Sequence, residues 1–242
     1  MDYNRAFRYI FDDKDWVSKI GLGLLIQMVP ILNFAWVGYQ VQIVRNVRRN
    51  ETVILPTWDD LGKKFMDGLM ITLAGMVYAL PILLIACLPL ALIFVPMLAA
   101  ENEDLFGALM AGSTLVYFSF FCVIVLYGLA LSILAPIMQI HYAKEGTFAS
   151  CFKVREFFAV LGKHAGTFFT IWIIILGVTM GVSVAVGMVG GIIGWIPLLG
   201  QILLVVITMA GTAYGVCFSS HLYGQFAARV FDHTQESIQP AA

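Results

Sequence analysis

Two stretches of this chain, residues 65–143 and 164–228, contain no lysine or arginine and are almost wholly apolar. Each is far longer than the ~20 residues that cross a bilayer once, so each must cross more than once. All 14 Lys and Arg lie between Arg5 and Lys19, between Arg45 and Lys64, between Lys144 and Lys163, or at Arg229. Basic clusters of this kind mark the segments retained in the cytoplasm. The charge map therefore predicts an all-α polytopic membrane protein with both termini cytoplasmic. With 12% charged residues against 60% hydrophobic ones, the chain falls well below the roughly 25% charge of a soluble domain.

Between the basic clusters the chain reads as hairpins. Residues 20–44 are apolar, are interrupted by Val29-Pro30-Ile31-Leu32-Asn33, and have basic residues on both flanks. Pro30 has no amide to donate and disfavours helix at Val29, which suits a hairpin tip. Two short helices, over about 16–28 and 33–47, fit this. The first arm reaches only about 20 Å at ~1.5 Å per residue, so a re-entrant hairpin is the alternative to two full spans. Glu101-Asn102-Glu103-Asp104 carries acids and no base, as an outer loop should. Residues 190–200 carry no charge and contain Trp195 and Pro197, which fits an outer interfacial turn. The expectation is about six apolar helices in three hairpins, at about 16–47, 68–141 and 165–226. They form a single transmembrane domain over 1–231, followed by a polar tail over 232–242 that reads as disordered.

A short amphipathic segment precedes each hairpin and predicts a helix lying in the membrane interface. In the first 19 residues, Tyr3, Phe7, Ile10 and Phe11 oppose Asn4, Arg5, Arg8 and Asp12. Over 57–67, Thr57 and Asp60 read as a capping box. Over 147–162, Thr147 is the expected cap. The recurrence of an amphipathic helix followed by an apolar pair reads as an internal repeat, either a true triplication or the reuse of one membrane pattern.

The sequence offers little for chemistry. Cys87, Cys122, Cys151 and Cys217 are scattered, with no metal-ligand spacing. Ionisable groups that drive coupled transport sit at mid-bilayer, whereas Asp67, His141 and His221 all fall near predicted span ends. Ser219, Ser220 and His221 are sequence neighbours that point to different helix faces. No catalytic residue, cofactor or metal is expected, and a net charge of −1 gives no attraction to nucleic acid. The juxtamembrane bases Arg45, Arg48, Arg49, Lys63, Lys64, Lys153, Arg155 and Lys163 are candidate contacts to anionic lipid headgroups. Gly177 and Gly181 lie on one small-residue stripe and Gly211 and Gly215 on another, so all four are candidate helix-packing positions. The expected role is that of a non-catalytic structural or accessory membrane component, with lipid, another membrane protein or a second copy as partner. The alternative is a permease or channel for a small neutral or apolar solute, without ion coupling.

The series Ile20-Gly21, Val29-Pro30-Ile31-Leu32-Asn33, Gly38-Tyr39, Arg45-Asn46-Val47-Arg48, Leu55-Pro56-Thr57-Trp58-Asp59-Asp60, Asp67-Gly68 and Tyr78-Ala79-Leu80-Pro81 resembles the prokaryotic integral-membrane proteins grouped as domain of unknown function 4013. The resemblance implies a prokaryotic cytoplasmic (inner) membrane location. It implies no reaction and carries over no functional residue.

Overall fold

The computed structural model describes residues 1–92, 94 and 101–231 of the chain; the tail at 232–242, expected to be disordered, lies outside them. Seven α-helices are described: α1 Tyr3–Asp12, α2 Trp16–Met28, α3 Asn33–Arg48, α4 Leu61–Leu92, α5 Glu103–Glu145, α6 Val154–Ile193 and α7 Leu199–Phe231. A 3-10 turn at Phe148–Phe152 joins α5 to α6, and no strand occurs among the described residues. Four helices are long and apolar enough to cross a membrane: α5, α6, α7 and the Leu61–Ala86 part of α4. About six apolar helices were expected, with the first hairpin either two full spans or re-entrant. Its two arms are the shorter helices, α2 with 13 residues and α3 with 16.

The described residues pack as two compact units, one of residues 1–72 with 137–231 and one of residues 73–136. In the smaller unit, Tyr127 of α5 donates its hydroxyl to the Tyr78 carbonyl of α4 at 2.6 Å. The acidic break turns out to be a helix start. The Asn102 side chain accepts the Leu105 amide at 3.0 Å, and Glu103 and Asp104 fill the first turn of α5, where the helix dipole favours acids.

The larger unit is built around α3. Ala35, Trp36, Tyr39, Val41, Ile43 and Val44 are all buried, so α3 is covered on most of its circumference. Two close approaches make this possible. A Cβ at Gly38 would fall 1.8 Å from the Lys64 carbonyl oxygen, and one at Gly68 would fall 1.7 Å from the Phe34 carbonyl oxygen. The backbones of α3 and α4 therefore touch. On the other side, a Cβ at Gly224 of α7 would lie 2.5 Å from Val47 Cβ. Trp36, Tyr39 and Trp58 form a stack, with Tyr39 and Trp58 centroids 4.7 Å apart at 14° and Trp36 and Tyr39 at 5.3 Å and 5°.

The three amphipathic segments fare differently. The first forms α1, capped by Asp2, whose side chain accepts the Arg5 amide at 2.9 Å. Its Ala6, Tyr9 and Ile10 are buried, and it docks on α7: Tyr9 donates to the Cys217 carbonyl at 2.8 Å, and Phe7 meets Phe218 at 4.6 Å. The second is no separate helix. Asp60 accepts the first helical amide, from Lys64, and α4 runs on without a break, so the Thr57 capping box is misplaced by three residues. The third is divided between the 3-10 turn and the start of α6, and Thr147 makes no side-chain cap bond. Dihedrals leave the helical region at His164 (φ −125°, ψ 22°), next to the expected start of the third hairpin at 165.

Candidate functional site

The polar chemistry of the larger unit gathers at one end, where α1, α3 and α7 meet the start of α4, the end of α5 and the start of α6. Each terminus there is fixed by local chemistry. Asn50, beyond the end of α3, takes φ 53° while its amide and that of Glu51 reach back to the Val47 and Asn46 carbonyls; asparagine tolerates this left-handed stop. Gly146 does the same after α5, with φ 69° and its amide 2.8 Å from the Tyr142 carbonyl.

At the centre of this end is a buried polar knot joining α3, α4 and α5. The Arg45 guanidinium pairs with Asp67 through Nη1 and Oδ2. Its Nε donates to the Ala143 carbonyl at 3.2 Å, and its plane lies over the Tyr142 ring at 5.7 Å. Tyr142 completes the knot by donating to the other Asp67 oxygen at 2.9 Å. Arg45 and Asp67 are both buried, so the Arg45 charge is met by an ion pair inside the protein. Asp67, expected to be an interfacial polar residue, is the hub. Lys64 is likewise buried, with its backbone against Gly38. Neither inward turn is readable from composition, because an interfacial base and a buried one look alike without the opposing helix.

The remaining expected headgroup bases stay nearer the surface. Arg49 is exposed, 3.9 Å from Glu51, and Lys63, Arg155 and Lys163 are exposed. Arg48 stacks over Phe231 at 5.7 Å. With Arg5, Arg229 and the buried His221 it lines a cavity of about 300 Å³, which Asp2 and Glu51 also border. Three guanidiniums against two carboxylates give this cavity a small positive excess. Lys153 bonds Glu145 at 2.7 Å and Glu156 at 3.3 Å; those bonds, Glu145's first, raise its pKa. Burial also pushes the Tyr9 phenol well above its ordinary range.

A second concavity, about 560 Å³, lies between α6 and α7 and is lined by Thr179, Ser183, Gly190, Leu204, Thr208, Gly211, Thr212, Gly215 and Ser219 among others. Its hydroxyls are turned onto their own helices: Thr179 to Ile175, Ser183 to Thr179, Thr208 to Leu204, Thr212 to Thr208 and Ser219 to Val216. The wall left facing the groove is mostly apolar. The two glycine stripes part here. A Cβ at Gly211 would come 3.0 Å from Val182 Cγ1 and one at Gly215 3.4 Å from Thr179 Cγ2, so both pack on α6, but nothing lies within 4 Å of a Cβ at Gly177 or Gly181. Among the glycines not singled out for packing, Gly38, Gly68 and Gly224 are tight as well.

The model of the family described as a protein of unknown function (DUF4013) matches residues 21–196. The match covers most of the chain, and the chain belongs to that family. No curated protein and no solved structure matches it.

Proposed function

For a chain of this family, we propose the role of a non-catalytic accessory component of the prokaryotic cytoplasmic membrane, packing with lipid and with a partner membrane protein or a second copy. The observation that carries this reading is how little of each long apolar helix is buried. In the most apolar stretch of each candidate span, only 11% (α4), 11% (α5), 6% (α6) and 22% (α7) of residues are buried. Such surfaces need a hydrocarbon or protein neighbour along nearly their whole length. The groove between α6 and α7 supports the same reading. With its hydroxyls self-bonded, it suits an acyl chain or an apolar helix better than a hydrated solute. Ser219 and Ser220 both donate to the Val216 carbonyl, and His221 Nδ1 lies 3.1 Å from the Gln225 amide nitrogen; neither arrangement activates a nucleophile. Arg5, Arg48 and Arg229 at the cavity mouth suit anionic headgroups.

Reconstitution tests the proposal. Vesicles holding the purified protein should pass neutral solutes no faster than protein-free vesicles. The thermal midpoint in nanodiscs should rise with the fraction of anionic lipid, and Arg5→Gln with Arg229→Gln should reduce that rise. Protein-dependent flux of any tested solute would put the permease in its place.

A further inference from the structure

His141, Glu145 and Glu156 come together where α5 ends and α6 begins, and no part of the packing accounts for His141. Its ring is 1% exposed, yet neither ring nitrogen has a hydrogen-bond partner. Phe157 and Phe231 flank it, at 4.8 Å and 5.2 Å between centroids. A buried imidazole without a partner is costly, so its surroundings suit a state in which a nitrogen is used. The polar group it faces is Glu156, whose Oε2 lies 3.7 Å from His141 Nδ1. Glu145 stands one turn along α5 from His141, on the same face. One donor atom from each of the three residues lies within 4.8 Å of the others.

We propose that His141 Nδ1, Glu145 and Glu156 form a site for a divalent transition-metal ion of the zinc class, with Lys153 as the cation that holds the site when no metal is bound. The donor set selects the metal. One imidazole with two carboxylates matches Zn²⁺ and its neighbours, whereas Mg²⁺ and Ca²⁺ prefer all-oxygen shells. Zinc bonds of about 2.0–2.2 Å place tetrahedral ligand atoms roughly 3.4 Å apart. The His141–Glu156 separation of 3.7 Å is already close to that, and the longer separations close by carboxylate movement. That movement is available, because the side chains of Glu145 and Glu156 are 25% and 53% exposed. The fourth position falls to water. Lys153 now bridges the two carboxylates at 2.7 Å and 3.3 Å. Its ammonium bonds both carboxylates but makes no hydrogen bond to His141, whose ring nitrogens stay without a partner. A dication replaces the ammonium, doubles the charge between the carboxylates and gives the imidazole its bond. Bound there, the metal ties the last turn of α5 to the first turn of α6 across the 3-10 connection.

The experiment uses the full chain, stripped with chelator and titrated with Zn²⁺ alone by calorimetry, with Co²⁺ absorption as a report of nitrogen and oxygen ligation. One saturable equivalent is expected, with no comparable binding of Mg²⁺ and a higher thermal midpoint when zinc is present. Glu156→Gln, at an exposed side chain, removes a ligand and should weaken binding by at least the ~10–100-fold that loss of a ligand's supporting partner costs. Lys153→Met should tighten it, because the competing cation is gone. His141→Phe, which keeps a ring between Phe157 and Phe231, should abolish the single equivalent while the protein still unfolds cooperatively. A wild-type protein that takes up no stoichiometric zinc, or a Glu156→Gln variant that binds as wild type, would overturn the assignment. Weaker zinc binding in Lys153→Met would overturn the part given to the lysine.

Discussion

At the residue scale, Arg45 and Asp67 matter most because each is buried and each is the other's counter-charge. Removing one partner leaves an uncompensated charge in the protein, at a cost of about 3–5 kcal/mol, whereas replacing both with apolar groups of similar volume is often close to neutral. Asp67→Ala should therefore lower stability by about that amount, and Arg45→Met together with Asp67→Leu should recover much of it. Thermal unfolding of the wild type and the two variants in one detergent checks this; equal losses in single and double variants would contradict it. Cys151 gives a second prediction. It is fully buried, and burial pushes its thiol from the ordinary 9.0 to about 11. The unfolded chain ionises first, so this contribution to stability is complete below pH 9.0 and is lost as pH rises towards 11. Cys151→Ala should flatten the fall in thermal midpoint across that window. The wild-type slope persisting in the variant would assign it to other groups.

At the element scale, the proline tip and the basic stop were legible, whereas the caps expected at Thr57 and Thr147 and the neighbours of each helix were not. Pro30 and the apolar runs beside it placed α2 and α3 to within a residue of their ends, because a proline tip and a basic stop are written in the residues themselves. The all-helical class and the family followed from the same kind of local signal. The hidden parts were those that depend on what lies opposite. The faces of α1 could be read from periodicity, but not that α7 would cover one of them. Gly38 and Gly68 look like ordinary helical glycines in the sequence, and only the close approach of α3 and α4 reveals that no Cβ fits there. The candidate metal ligands lie four residues apart on one helix and eleven residues further along on the next. The first spacing is visible in sequence, and the second carries no signal until the 3-10 turn folds α6 back. These contrasts make a prediction. Gly38→Ala and Gly68→Ala put an atom within 2 Å of a carbonyl oxygen, so each should cost at least the ~1–3 kcal/mol typical of overpacking. Gly181→Ala, inside α6 with open space around it, should leave thermal stability unchanged or raise it by up to about 1 kcal/mol, the helix-propensity difference between the two residues. A destabilised Gly181→Ala would show that a partner helix occupies that stripe in solution.

At the scale of the whole molecule, the polar knot, the arginine-lined cavity and the histidine–glutamate cluster share one end of the larger unit, and uncharged helix surface makes up the other. α7 measures this separation. Its Gly224 packs against Val47 near the end of α3, while its first residue, Leu199, follows the turn that holds Trp195, 88% exposed. Its 33 residues extend about 50 Å at ~1.5 Å per residue, more than the ~30 Å hydrocarbon core of a bilayer. Asn50, just past α3, and Ile196, in the turn before α7, therefore lie at opposite ends of that unit. Lysine and arginine crowd the Asn50 end, and the turn has none, so the Asn50 end should face the cytoplasm. In a chain without its native cysteines, Ile196→Cys should react with a membrane-impermeant thiol reagent added to intact cells. Asn50→Cys should react only after the membrane is opened. Labelling of both positions from outside would mean that α7 does not span, and labelling of Asn50→Cys alone would invert the molecule and put its arginines and its candidate metal ligands on the outer face.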